Sequence, residues 1–417
     1  MGPKPRVNDM TKEEIYAYLA AHENGRYDRD HFDEFLAKKK FSFEIPAIHI
    51  AGTNGKGATA HYLESIYREA GYNAASYRSP FLYSPCEMMT YNGEHIGEET
   101  FVQFFNLSFK EFEKYDLSAF EIETYIAFMF ILSKKPDIAI IECGMGGELD
   151  ATNVFTPILS IITSVSLEHT SYLGRSVSEI AQSKGGIIKE EVPLLTGELG
   201  EAAKTVLLDM AEEANSPYHV VSEHHFVHHE DDGEHFQYGE IEDLIIHSDA
   251  EYQIANACIA IEAVDLLKNL FPVKEESLRA GLSKDELPLH IEKIGNFVLD
   301  GAHNPEAVEA LVKSFPNFQN NRPVHVLFAS FRDKNIAVEL PMLGTYSQDI
   351  TLTTFDHPRA RDEMDYFLYI GDYPFVSSYV DAIKELEEKF PNDLILVTGS
   401  IAFAALVRKY LLERERK

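Results

Sequence analysis

Lys56, within Gly52-Thr53-Asn54-Gly55-Lys56-Gly57-Ala58-Thr59, has the surroundings of a residue that handles phosphate. An apolar run over 45–51 precedes it. A helical pattern through Tyr62, Leu63, Ile66 and Tyr67 follows. Strand, glycine-rich turn and helix N-terminus together make an anion cradle, in which amides face the anion and lysine adds a mobile positive charge. The spacing is not that of the ordinary P-loop, since only Thr53 and Asn54 separate the first glycine from Gly55-Lys56. A turn that merely caps a buried helix is the plainer alternative. The order of strand, turn and helix favours a nucleotide, ATP, bound by residues 53–59.

Phosphoryl transfer is mainly positioning and charge neutralisation, so such a cradle calls for a metal ion such as Mg2+ and hard oxygen donors. Glu142 closes the apolar run 138–141 and precedes Cys143-Gly144-Met145-Gly146-Gly147. A carboxylate at a strand's C-terminal end sits where open α/β sheets bind ligands, although a helix-capping acid has the same appearance. His169 follows the apolar run 161–167, where a buried structural histidine would be ordinary and a functional one is the lesser reading. Lys184, in Ser183-Lys184-Gly185-Gly186, taken alone is a solvated lysine at a helix end. Asp300 and His303, after a third apolar run, could reach a ribose or base across a domain crevice. Asn304-Pro305 beside them reads as a helix N-cap with proline at the first helical position.

These residues need elements to hold them. Strand-like segments at 47–51, 138–143 and 159–163 alternate with helical patterns at 59–70, 99–115, 122–134 and 254–270. That alternation predicts an α/β fold with a mainly parallel sheet and helices on both faces. A second α/β unit starts near Gly295, with strands at 297–299, 324–329, 350–354 and 394–398. The expected domains are therefore 1–294, binding ATP, and a smaller Rossmann-like 295–417. Between 219 and 240 lies a histidine-rich stretch, read as a hairpin closed at Asp232-Gly233. Its histidines suit an exposed ribbon better than a metal site.

The chain has 417 residues and a net charge of −31, which argues against nucleic-acid and anionic-membrane partners. An anion such as ATP then requires a local concentration of positive charge. The three cysteines, Cys86, Cys143 and Cys258, show no zinc spacing and suit a reducing compartment. No apolar run reaches the roughly 20 residues needed to span a bilayer. A cytoplasmic monomer is expected.

In sequence, the chain resembles the folylpolyglutamate synthases of the Mur ligase superfamily, from about Ile45 onward. The resemblance rests on the phosphate loop, Ser79-Pro80-Phe81, Phe120-Glu121 with Thr124, and Glu142 to Gly147 with Asp150 and Thr152-Asn153. His169, Lys184 to Lys189, Asp300 to Pro305 and Thr398-Gly399-Ser400 extend it. The resemblance implies that Ser79, Glu142 and His169 hold magnesium and that Lys56 contacts the ATP phosphates. It implies a carbamylated Lys184, and Asp300 and His303 completing the nucleotide site, with Lys56, Lys184 and His303 catalytic. The implied substrates are folate, L-glutamate and ATP. The implied reaction activates a folate γ-carboxylate as an acyl phosphate, which the glutamate amine then attacks. Dihydrofolate synthase or another Mur-type amino-acid ligase is the alternative, and a nucleotide-binding relative without ligase chemistry is a third reading.

Several positions depart from the family pattern. Ala58 replaces a serine, Met88 and His290 replace arginines, Tyr252 replaces a histidine and Glu168 an aspartate. Loss of two guanidinium groups bears on phosphate and substrate affinity more than on the fold.

Overall fold

The computed structural model describes residues 9–23, 27–284, 287–347 and 349–415. The chain divides into two compact units, Met1–Ser222 with Asn256–Leu282, and Glu223–Ala255 with Ser283–Lys417.

The first unit is built on eight strands: β1 (Ala47–Ala51), β2 (Ala74–Tyr77), β3 (Met89–Tyr91), β4 (Glu94–His95), β5 (Ile138–Glu142), β6 (Leu159–Ile162), β7 (Leu194–Thr196) and β8 (Tyr218–Val220). Their order is β4-β3-β2-β5-β1-β6-β7-β8. From β2 to β8 every neighbour pairs in parallel, whereas β3 and β4 are antiparallel additions at one edge. Strands β1, β5 and β6 are buried along their whole length. This explains why they read as unbroken apolar runs, as strands covered on both faces do. An aromatic core holds Phe32, Phe35, Tyr77, Phe101, Phe105, Phe112 and Phe128. Helices Lys12–Ala21 and Asp30–Lys39 contribute Ile15, Phe32 and Phe35 to it.

The second unit carries a ribbon of β9 (His224–Glu230), β10 (Gly233–Tyr238) and β11 (Ile241–Ile246), all antiparallel. The hairpin expected at Asp232-Gly233 is present, with one further strand. Its main sheet contains β12 (Glu292–Ile294), β13 (Phe297–Leu299), β14 (Val324–Phe328), β15 (Asp349–Thr353), β16 (Phe375–Val376) and β17 (Leu394–Thr398). The order is β12-β13-β17-β14-β15-β16, parallel except for β12.

The boundary expected at 294 does not match this division. Ala250 and Ile291 pack in the core of the second unit with Val298, Val308 and Phe315. Buried Glu234 of the ribbon accepts from Asn317 Nδ2 at 2.5 Å. By contrast, the helix Glu275–Leu282 lies so close to the helix Lys56–Glu69 that a Cβ on Gly281 would sit 2.4 Å from Ile66 Cα. A single cut misses this because the chain leaves the first unit for the ribbon and then returns.

Candidate functional site

Four adjacent parallel strands, β2, β5, β1 and β6, end at the same edge of the first unit's sheet. Ser79 lies two residues beyond β2, Glu142 is the last residue of β5, the glycine loop follows β1, and His169 lies seven residues beyond β6. This is the edge at which open parallel sheets receive ligands.

The loop is held from β6. Thr53 N donates to Ser164 O at 2.9 Å, and Asn54 N to Ser164 Oγ at 2.9 Å. Thr163 Oγ1 donates to Asn54 O at 2.6 Å, and Ser166 N to Thr53 Oγ1 at 3.0 Å. Sequence reasoning assigned the loop amides to the anion as a group. In the structure, those of Thr53 and Asn54 serve the loop's own shape. The amides with no intrahelical acceptor are those opening the helix Lys56–Glu69, whose N-cap is Gly55. Gly55 has φ of +84°, and a Cβ there would meet Asn256 Oδ1 at 2.1 Å. Both the dihedral and the space demand glycine. The hydroxyl residues Thr163, Ser164 and Ser166 after β6 were the available sequence signal for this clamp.

Lys56 Nζ donates to Gly52 O at 3.1 Å and Thr53 O at 3.2 Å. Lys184 Nζ donates to Gly52 O at 2.8 Å. Lys184 is 3% exposed, so the reading of it as a solvated helix-end lysine is wrong. Burial, then the charge of Lys56, brings its ammonium down to a pKa of about 7.

Glu142 is buried, and its Oε2 accepts from Ser79 N at 3.1 Å. Burial raises its pKa to about 7, opposed by the charges of Lys56 and Arg78. It is no helix cap: it ends a strand, and a Cβ on Gly57 would lie 3.4 Å from its Oε2. A buried carboxylate facing a helix's first turn beside a serine is a hard-oxygen donor set that fits Mg2+. His169 is half-buried, with φ of 50°, at the start of the short helix Thr170–Leu173. The strand order brings it to this edge, on a separate loop from the Ser79–Glu142 pair.

Arg78, which sequence reasoning passed over, carries a guanidinium next to Ser79. It lies 3.4 Å from buried Glu64 and 3.2 Å from His61 Nδ1. A hydrogen-bonded chain also braces the turn after Glu142. Asp150 accepts from Met145 N at 2.8 Å and from the Thr152 hydroxyl, while Thr152 Oγ1 lies 2.8 Å from His49 Nε2. His49 is fully buried, and its pKa falls to about 3, so it braces the turn as a neutral ring.

In the second unit, Asp300 follows β13 and is 2% exposed. It accepts from Tyr252 Oη at 2.7 Å, Ile291 N at 3.2 Å and Ala302 N at 2.9 Å. Burial raises its pKa, and the nearby His290 opposes the rise. Tyr252 thus bonds the aspartate from the position where the family pattern has histidine. His303 Nδ1 donates to Gly301 O at 2.8 Å, and Asn304 caps the helix Pro305–Lys313 through Ala307 N. Met88 and Ala58 are buried hydrophobics, so no polar group replaces the arginine or serine there.

Comparison with known proteins gives a consistent picture. The Mur ligase middle domain matches residues 50–264, and the Mur ligase glutamate ligase domain matches 290–401. A dihydrofolate synthase/folylpolyglutamate synthase of Bacillus subtilis is 33% identical, over 88% of this chain and 91% of its own. A structure of Mycobacterium tuberculosis folylpolyglutamate synthase complexed with ADP and AMPPCP superposes with TM-score 0.87 at 25% identity, covering 96% of this chain and 98% of that one. The Thermotoga maritima folylpolyglutamate synthase superposes with TM-score 0.81 at 29% identity, covering 96% of both chains.

Proposed function

The chain belongs to the Mur ligase family, among its dihydrofolate and folylpolyglutamate synthases, and from that premise we propose that it is an ATP-dependent ligase that adds L-glutamate to a folate. The observation that carries the reading is the edge where four strand ends meet, with Lys56 and Lys184 converging on one loop carbonyl and buried Glu142 bonded to Ser79.

In this reading the first-turn amides after Gly55 and the Lys56 ammonium bind the ATP phosphates and offset charge on the group in transfer. A γ-carboxylate oxygen of the folate attacks the γ-phosphorus, the bond to ADP breaks, and an acyl phosphate forms. The glutamate amine then attacks the acyl carbon, loses a proton, and expels phosphate to leave an amide. Ser79, Glu142 and His169 would hold magnesium, which would supply Lewis-acid neutralisation of phosphate charge. Asp300 and His303 belong to the nucleotide's residues by family resemblance, and Asp300 also orders the turn after β13.

Carbamylation of Lys184 belongs to this proposal. An amine with a pKa near 7 is largely uncharged just above neutrality, and an uncharged amine adds to the carbon of CO2, opening one C=O π bond and releasing an N–H proton to solvent. The carbamate is anionic and its oxygens are hard donors.

A second reading, synthesis of dihydrofolate from dihydropteroate, is favoured by the double name of the Bacillus subtilis relative. The test is release of ADP with tetrahydrofolate plus glutamate against dihydropteroate plus glutamate, with product mass read by spectrometry. A gain of one glutamyl residue on tetrahydrofolate supports the first reading. ADP release with neither pair counts against both.

A further inference from the structure

We infer that one face of the β9–β10 ribbon is a binding site for a single divalent transition-metal ion, held by His228, Glu230 and His235. This is independent of the ligase site and of the reading given to it.

Strand geometry assembles the site. His228 and His235 are paired across β9 and β10, which places their side chains on the same face. Their rings stack at 5.0 Å between centroids and 24° between planes. Glu230, two residues beyond His228 on β9, shares that face because side chains alternate with period two. One ligand atom from each of the three lies within 4.8 Å of the others. His228 Nε2 and Glu230 Oε1 are 3.2 Å apart. Ligand atoms in a tetrahedral zinc site, with bonds near 2.0–2.1 Å, are about 3.4 Å apart. The pair already has that separation, and small rotations bring in the third.

The intervening residues turn the other way. His229 lies 3.1 Å from Glu234 Oε1 and 3.4 Å from Asp249 Oδ1, and Glu234 is 1% exposed. The ribbon's histidines are therefore two sets with different tasks, which the sequence alone treats as one solvated run.

His228 is also set up as a ligand. Its Nδ1 donates to Phe226 O at 3.1 Å and its Nε2 to Glu230 Oε1 at 3.2 Å, so the ring is held with Nε2 against the carboxylate, and a metal ion would take the place of the Nε2 proton between them. Phe226 supplies that carbonyl from a left-handed conformation, φ of 53°, while 78% exposed. The ladder slips at this point, between the pairs made by His225 and His228. A bulky residue held in this region without a buried contact to reward it is uncommon, and bulges of this kind re-aim side chains beside sites. Asp232 Oδ1 lies 2.8 Å from His235 Nε2 and orients the second ring.

Room and charge complete the case. His228, Phe226, Glu242 and Asp243 are among the residues lining a hollow of about 220 Å³. Glu242 and Asp243 add cation-attracting potential on the His228 side of the site. Two imidazoles and a carboxylate select zinc, copper, nickel or cobalt over magnesium.

The test titrates Zn2+ into the full chain by calorimetry with magnesium in large excess, and follows Co2+ by its visible absorption. The expected result is one Zn2+ per chain, with affinity falling at least tenfold in His228→Ala and in His235→Ala. The double variant His224→Ala/His225→Ala and the strand-end variant Glu142→Gln should bind as the parent does. Far-ultraviolet circular dichroism checks that the ribbon variants remain folded, and the cobalt spectrum of the unaltered chain needs no variant. No stoichiometric Zn2+ binding, or an affinity unchanged by both ribbon substitutions, overturns the site, as does an equal loss in the His224/His225 double variant.

Discussion

Lys56 and Lys184 donate to the same oxygen, the carbonyl of Gly52, at 3.1 and 2.8 Å. Two ammonium groups on one acceptor repel each other, and Lys56 is the second cause, after burial, of the lowered Lys184 pKa. A chain of net charge −31 thus gathers positive potential on the loop where the first unit would receive phosphate. The first-turn amides of the helix Lys56–Glu69 add to it. The arrangement separates roles as well: one lysine opens the helix beside the loop, and the other is sealed behind it.

Lys56→Ala should reduce ADP formation by about a hundredfold or more, the usual cost of removing one preorganised transition-state donor. The fold should survive, because Lys56 bonds only loop carbonyls, one of which Lys184 also bonds. Initial rates of ADP release beside a thermal melt decide it. Turnover equal to that of the parent would remove Lys56 from the phosphate site.

Lys184 makes a prediction about pH. In the unfolded chain its pKa is 10.5, and in the fold about 7. Between those values the unfolded chain binds more protons, so this group's contribution to stability rises with pH. Its penalty is complete below about pH 7 and is lost as pH climbs toward 10.5. Lys184→Met should therefore melt above the parent at about pH 6, with the difference shrinking steadily by about pH 9.5. A difference that does not vary with pH would mean that Lys184 is not desolvated as described.

How much of this was legible beforehand follows from what each signal measures. The cradle around Lys56 could be read because strand, glycine turn and helix are local, and β1, β5 and β6 because strands covered on both faces are apolar throughout. Glu142 could be placed at a strand end for the same reason. The burial of Lys184 could not be read, since it is set by packing of the helix Val177–Gly185 against a loop 132 residues away. The clamp from Thr163 to Ser166 and the approach of Arg78 to Glu64 are likewise contacts between distant segments. The division by packing differs from a single boundary at 294 because neighbours in sequence need not be neighbours in space: the ribbon packs in the second unit, and Asn256–Leu282 returns to the first.

Asp300 should prove structural as well as functional. Its removal in Asp300→Ala leaves the buried amides of Ile291 and Ala302 and the Tyr252 hydroxyl without this acceptor. Each unsatisfied buried group costs about 1–3 kcal/mol. Tyr252→Phe removes only one donor and should cost about 1 kcal/mol. Denaturant titrations of the two variants should rank in that order. Equal stability would show that the turn after β13 does not depend on the carboxylate.

Glu142→Gln should raise the magnesium concentration needed for half-maximal ADP release by tenfold or more, because a neutral amide is a poorer ligand for a hard cation. The backbone bond from Ser79 N can still be accepted by the amide oxygen, so the strand end keeps its shape. Magnesium titrations of both proteins, at fixed ATP, check it. An unchanged magnesium requirement would take Glu142 out of the metal site.

Carbamylation of Lys184 can be separated from a direct role of its amine. If the working group is a carbamate, Lys184→Ala leaves a space behind the loop, lined by the Gly52 carbonyl, that an external carboxylate can enter. Acetate or propionate should then restore part of the lost ADP release, saturating with concentration, while methylamine should not. If the working group is the ammonium, the pattern reverses and methylamine rescues. The parent enzyme supplies an independent check: removal of dissolved CO2 should lower its activity reversibly, more so at lower pH, where the amine is protonated and carbamate forms less readily. Rescue by amine alone, with no response to CO2, would exclude the carbamate and leave Lys184 as a buried cation that shapes the loop.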